Sequence, residues 1–280
     1  MTLPTRAGDV HVRVWPGQGE HAATRPVLLA LHGWTDSGEV FEPLYRALGR
    51  RWTVVAPDAP AHGRTPWADT GVFRPADHAE GVQAVVRALP GMTGATGSAG
   101  VRPRPVVVLG HSMGALTAAR TVAACPDVAA HLVLEDPARS SPRRAPSSAS
   151  TLRWLTQFLA VPAGPQRAAD AERRNPGWPA DELPSWTRSK EELDLRHLRV
   201  PSDWGEPMVA LLSDVRCPVT LIRGELTRGG IVSATSARRM VAACRAGAEV
   251  EVLDGGHNLR REVRDPFIAI LAAVLGRYEA

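Results

Sequence analysis

Apolar positions recur along this chain in two rhythms, and their alternation is the first information it offers. Val10, Val12 and Val14 alternate with polar neighbours, a period of two that predicts a half-buried strand. Together with the opening residues it predicts a hairpin over 2–15 turning at Ala7-Gly8-Asp9. Further strand-length apolar runs fall at 26–31, 52–56, 105–109, 132–134, 219–222 and 249–253. Several are continuous, as strands covered on both faces should be. Helical spacing appears between them, at 39–48, 76–89, 113–124, 234–244 and 261–276. Strand and helix in alternation predict an α/β protein with a mostly parallel central sheet flanked by helices.

Two stretches interrupt this order. Residues 90–104 are rich in Gly, Pro, Ser and Thr and predict a surface loop without a function of its own. Residues 137–207 stand between two core strands and hold Trp154, Trp178, Trp186 and Trp204 but no clear strand. They predict an inserted helical cap, with 1–136 and 208–280 as the core. The four indoles read in two ways, as the wall of an apolar pocket or as the glue of a helical subdomain.

Composition narrows the class. A chain of 280 residues, 44% hydrophobic and 22% charged, supports a well-buried core, and no apolar run reaches membrane-spanning length. The 33 basic and 29 acidic residues give 33 − 29 = +4. Arginine is scattered over nearly every segment and Lys190 is the single lysine, so no basic stripe points to nucleic acid. Cys125, Cys217 and Cys244 are too few and too far apart for a disulfide framework or a zinc site. The first residues lack a charged region followed by an apolar one, so a cytoplasmic location is expected.

The chemistry concentrates at Gly110-His111-Ser112-Met113-Gly114, directly after an apolar strand and before a helical stretch. A serine on a sharp strand-to-helix turn needs small neighbours, because its backbone is strained and a side chain at either glycine would block the turn. Such a turn exposes Ser112 Oγ and aims the Met113 amide at a developing oxyanion. His111, adjacent to the serine, is directed away from it. A base is better supplied by His257, in Asp254-Gly255-Gly256-His257-Asn258 beyond the last strand, because a late loop can reach across the carboxyl edge of the sheet. His32 and His62 are expected to be structural, His62 on a surface turn. Arg260 and Arg261 either attract an anionic substrate or begin a solvated helix. Arg139, Arg143 and Arg144 are expected to face water.

With Leu31-His32-Gly33-Trp34, Pro57-Asp58 to His62-Gly63-Arg64, the GHSMG motif, the cap and Gly256-His257 in this order, the chain resembles the alpha/beta hydrolase superfamily. The resemblance implies an alpha/beta hydrolase fold and a serine esterase-like enzyme needing neither cofactor nor metal. It implies that the Trp34 amide joins that of Met113 in an oxyanion hole, and that Asp58 is structural. The usual position of the acid carries Thr227, in Gly224-Glu225-Leu226-Thr227. Some members take the acid from the end of the preceding core strand, here Leu134-Glu135-Asp136-Pro137. Successive strand residues face opposite sides, so Glu135 and Asp136 cannot both address His257. Asp136 matches the position those members use, and Glu225 is its rival.

The expected activity is hydrolysis of an ester, lactone or thioester of a small, largely apolar molecule through an acyl-enzyme on Ser112. A small-molecule substrate is the expected partner, with neither nucleic acid nor membrane. The same residues would serve a lyase, a C–C bond hydrolase, a cofactor-free haloperoxidase-type enzyme or a slowly hydrolysing small-molecule receptor.

Overall fold

Among the described residues, eight strands form one sheet in the order β1-β2-β4-β3-β5-β6-β7-β8. They are β1 (Thr2–Thr5), β2 (Gly8–Trp15), β3 (Val27–Leu31), β4 (Thr53–Pro57), β5 (Val106–His111), β6 (His131–Glu135), β7 (Val219–Arg223) and β8 (Ala248–Val252). The hairpin of β1 and β2 joins antiparallel, and every pairing from β4 to β8 is parallel. The computed structural model describes residues 1–6, 8–93, 104–138 and 148–279. Ten α-helices lie within them: α1 (Glu42–Ala47), α2 (Pro75–Met92), α3 (Met113–Ala124), α4 (Ala149–Ala160), α5 (Pro165–Arg174), α6 (Leu183–Glu191), α7 (Met208–Leu212), α8 (Ala234–Ala243), α9 (Leu259–Glu262) and α10 (Arg264–Gly276).

The continuous apolar strands have a physical reason to be continuous. Val27, Leu29 and Leu31 of β3 pack with α2 and α3, whereas Leu28 and Ala30 pack on the other face with α1 and α10. Because successive side chains point to opposite faces, a strand covered on both sides must be apolar at every position. β8 departs from this rule. Its sequence alternates Glu249, Val250, Glu251, Val252, and it is the sheet edge.

Two expected elements differ. The single helix expected over 261–276 is two, α9 and α10, broken at Val263 (φ −137°, ψ 58°). A helix continuous through Pro266 would drive that ring into the Glu262 carbonyl, so the break falls where proline requires it. Pro90 lies inside the last turns of α2, so the stretch expected to be loop begins as helix. Residues 94–103 of that stretch lie outside the described residues. Between β6 and β7 the described residues carry α4 to α7 and no strand. Among the described residues no helix is long and apolar enough to cross a membrane.

Candidate active site

Ser112 stands at the junction of β5 and α3 with φ 53° and ψ −113°, a conformation that few non-glycine residues adopt. Three backbone hydrogen bonds hold it there. The Ser112 N–H donates to the Glu135 carbonyl at 3.0 Å, and the Ser112 carbonyl accepts from Ala115 and Ala138, each at 3.1 Å. Both flanking glycines are needed for close backbone approach. A Cβ on Gly110 would collide with the Gly114 carbonyl, and one on Gly114 with the carbonyls of Leu31 and His32.

That last contact brings the loop after β3 against the serine. A Cβ on Gly33 would lie 2.6 Å from His111 Nδ1 and 3.4 Å from Ser112 Cβ, so only glycine passes here. His32 is buried and bridges within the loop region, with Nδ1 donating to the Gly33 carbonyl and Nε2 accepting from the Ala59 N–H. Thr35 follows with φ 66°.

In the loop after β8, His257 Nδ1 lies 2.7 Å from Asp136 Oδ2. Asp136 is fully buried and also accepts from the Ile231 N–H at 2.9 Å and the Val232 N–H at 3.3 Å. The Asp136 carboxylate thus meets two backbone amides and the Nδ1 side of the His257 ring. Glu225 meets the same loop through its backbone, its N–H donating to the Gly255 carbonyl at 2.8 Å. The carboxylate that faces His257 is therefore that of Asp136. Glu135, one residue earlier, points to the opposite face, where its carboxylate accepts from the Arg260 N–H and Nη1, each at 3.0 Å.

His111 supports the loop from below. Its Nε2 donates to the His257 carbonyl at 2.9 Å, and burial lowers its pKa well below the usual imidazole value, aided by Arg260. It is a neutral strut. The Glu262 carboxylate closes the loop on the outside, accepting from the N–H groups of Gly256 and Asn258.

Two expectations about residues near the site are corrected. His62 is buried rather than on a surface turn, because it completes a packed quartet. The His62 ring lies 5.3 Å from His32 and 4.9 Å from His197, and His78 lies 5.8 Å from His32. His62 Nε2 accepts from the Thr35 N–H at 3.2 Å. Burial lowers the pKa of all four, that of His78 to about 3.

Arg260 and Arg261 neither start a solvated helix nor offer a free charge, since each is 1% exposed. Arg260 pairs with Glu135 at 3.0 Å and Asp36 at 3.3 Å, and Arg261 with Asp36 at 3.1 Å and Glu182 at 3.3 Å. Lys190 adds a third cation, 2.6 Å from Asp36. Burial alone would raise the Asp36 pKa, but Arg261, Lys190 and Arg260 hold it well below the carboxylate range. Burial raises that of Glu135, against Arg260. The adjacent Arg-Arg pair and the lone lysine were the sequence signals for this network, although neither named a partner.

The tryptophans divide. Trp154, Trp178 and Trp186 pack with Phe158 inside the segment between β6 and β7, which is the glue reading. Trp204 instead meets Trp34 edge to face, centroids 5.4 Å apart, beside Met113, Phe73 and Val200. The Trp34 indole N–H donates to His197 Nε2 at 2.9 Å. Arg139, Arg143 and Arg144 lie outside the described residues. Among the described residues, no group of three or more His, Cys, Asp or Glu is placed to hold a metal ion.

The sequence profile of the alpha/beta hydrolase family matches residues 27–270. The chain belongs to the alpha/beta hydrolase family. Lipase LipV of Mycobacterium tuberculosis is 35% identical over 130 residues, which are 46% of this chain and 42% of that protein. The 2-(acetamidomethylene)succinate hydrolase of Mesorhizobium japonicum is 32% identical over 111 residues, 40% of this chain and 35% of the relative. The chain thus aligns with less than half the length of these curated relatives. Among solved structures, N-formylmaleamic acid deformylase from Pseudomonas putida superposes with a TM-score of 0.71 at 17% identity, over 97% of this chain and 99% of the other. Similarity at that identity speaks for the fold alone. This alpha/beta hydrolase therefore carries its candidate chemistry on its own residues, and its reaction is argued from them.

Proposed function

We propose that this alpha/beta hydrolase is a serine hydrolase that cleaves an ester, lactone or thioester of a small, largely apolar molecule. The observation that carries the reading is the 2.7 Å bond from His257 Nδ1 to the buried Asp136 carboxylate, in a chain whose elbow holds Ser112 at positive φ. In this reading Ser112 Oγ attacks the carbonyl carbon while His257 Nε2 takes its proton. Asp136 orients the ring and stabilises the imidazolium. The amides of Trp34 and Met113 receive the negative charge that gathers on the carbonyl oxygen, each such donor being worth about 100 to 1000-fold. His257 then protonates the leaving group, and water activated by the same ring releases the acyl group from Ser112. Relatives named as a lipase and an esterase support ester cleavage as the reaction class.

The segment 137–207 serves as the cap over this site. The apolar group of the substrate rests on Trp34 and Trp204, the partly exposed members of an apolar cluster whose buried members, Phe73 and Met113, lie beneath them at the elbow. The buried arginines are neutralised by carboxylates, which supports an uncharged acyl group. Lyase, C–C hydrolase, haloperoxidase and receptor readings use the same residues, and product analysis separates them, since ester cleavage yields an acid and an alcohol.

The test is hydrolysis of p-nitrophenyl acetate together with labelling by a fluorophosphonate. Wild type should be labelled and active, and Ser112→Ala should lose the label and at least about 1000-fold in kcat. An unlabelled, inactive wild type would remove the reading.

A further inference from the structure

The single lysine of the chain is buried beneath the loop that follows β3. Lys190 comes from α6, is 1% exposed, and its Nζ donates to the Thr35 carbonyl at 2.9 Å, Asp36 Oδ1 at 2.6 Å and Ser189 Oγ at 3.2 Å. The Trp186 ring lies 5.0 Å away. Three acceptors around one ammonium match its three tetrahedral donors, which the planar fork of an arginine cannot reproduce. In a chain that otherwise uses arginine throughout, the exception falls where a compact point charge is required.

What this ammonium holds is strained. Thr35 is β-branched yet sits at φ 66°, a conformation that persists only where its surroundings impose it. His62 takes its N–H and Lys190 its carbonyl. Asp36 is gripped on one side by Lys190 and on the other by Arg260 and Arg261, three and four residues beyond His257. The segment Gly33-Trp34-Thr35-Asp36 is thus clamped between α6 and the helix that follows His257.

We propose that Lys190 is a positioning residue for the oxyanion loop. By holding the Thr35 carbonyl and the Asp36 carboxylate it fixes the Trp34 amide opposite Ser112, so that the oxyanion hole is complete only while α6 is docked. The proposal rests on the serine hydrolase reading.

Titration supplies a readout that a purely structural role would not move. The groups facing the ammonium are Asp36 on the loop, Arg260 and Arg261 on α9, and His32 at the end of β3. Burial brings Lys190 down from 10.5 to about 8, against the pull of Asp36. Above that value the loop loses the charge that grips Asp36.

The experiment uses the full chain labelled with [13Cε]lysine, in which one lysine gives one side-chain signal. Its titration is compared with kcat and KM for p-nitrophenyl acetate in wild type, Lys190→Met and Lys190→Arg, and with hydrogen exchange of a peptide covering 33–37. Expected is a loss of about 10 to 100-fold in kcat for Lys190→Met with KM nearly unchanged, the cost of a small misplacement at the site. Exchange over 33–37 rises in the same variant. Wild-type kcat falls at alkaline pH with the midpoint of the lysine signal, and Lys190→Arg retains part of kcat without that limb. Wild-type kcat and exchange in Lys190→Met would overturn the proposal and leave the hydrolase reading standing. Lower thermal stability without a change in kcat or exchange would reduce Lys190 to a structural role and also overturn it. A wild type inert to ester and phosphonate would remove the hydrolase reading, and the proposal with it.

Discussion

Asp136 Oδ2 lies 2.7 Å from His257 Nδ1, although 121 residues separate the two in the chain. The approach depends on β6 and β7 being neighbours, because Asp136 continues the β6 ladder with its N–H on the Ile222 carbonyl. Its carboxylate then meets the Ile231 and Val232 amides of the loop after β7. Asp136→Asn should lower kcat for p-nitrophenyl acetate by about 10⁴-fold, since an amide can present the wrong partner to the ring. Glu225→Gln should stay near wild type. Steady-state kinetics on the two variants, each checked for folding by circular dichroism, decides between the two acids.

Gly114→Ala puts a methyl group against the carbonyls of Leu31 and His32, which are rigid strand-end backbone. The elbow and the loop after β3 must part. A loss of about 1–3 kcal/mol in urea denaturation is expected from overpacking of this kind, with slower phosphonate labelling of Ser112 in the folded protein. Gly91→Ala, within α2 and with nothing within 4 Å of its Cβ, is the control and should lower neither stability nor labelling.

Trimming Trp204→Ala should change the ratio of kcat/KM for aromatic over acetyl esters, because this ring meets Trp34 beside Met113. Trp186→Ala should instead lower stability by about 3–5 kcal/mol, as expected for a buried aromatic lost from a packed core. A substrate screen and a denaturation curve on both variants separate the roles.

Acid should weaken the fold through the imidazole quartet. His32, His62, His78 and His197 have folded pKa values below their ordinary 6.5, that of His78 about 3. The unfolded chain therefore binds more protons below about pH 6.5. Their contribution is fully present above that pH and is lost as pH falls toward the folded values. Both ring nitrogens of His78 are buried without a hydrogen-bond partner among the described residues. His78→Leu should flatten the fall of the urea midpoint between about pH 6.5 and 4.5, with no loss at neutral pH.

Arg260→Met should cost about 3–5 kcal/mol, because it leaves the buried Glu135 without its cation. Replacing the pair together, Arg260→Met with Glu135→Leu, should recover much of that loss. Urea denaturation of the single and double variants measures the coupling.

What could be read along the chain was local. Strand and helix positions came from periodicity, and they hold within a few residues except where Pro266 splits the last helix and Pro90 extends α2. The motif around Ser112 was legible because a sharp turn imposes its glycines on the nearest neighbours in sequence. The buried charge was not legible. Arg260 and Arg261 follow a loop histidine and read equally well as a wet helix start, and only Asp36, Glu135 and Glu182 make them interior residues.

The sequence by itself determined the α/β class, the membership that its ordered motifs announced, and the serine and histidine that carry the candidate chemistry, since each is written in residues close together along the chain. The tertiary structure alone decided which carboxylate faces His257, which tryptophan meets Trp34 beside Met113, and that the chain's one lysine reaches across from α6 to the loop after β3. Those are pairings between segments 121 or more residues apart. Their energies depend on burial and on partners, and neither quantity exists until the sheet has set the segments side by side.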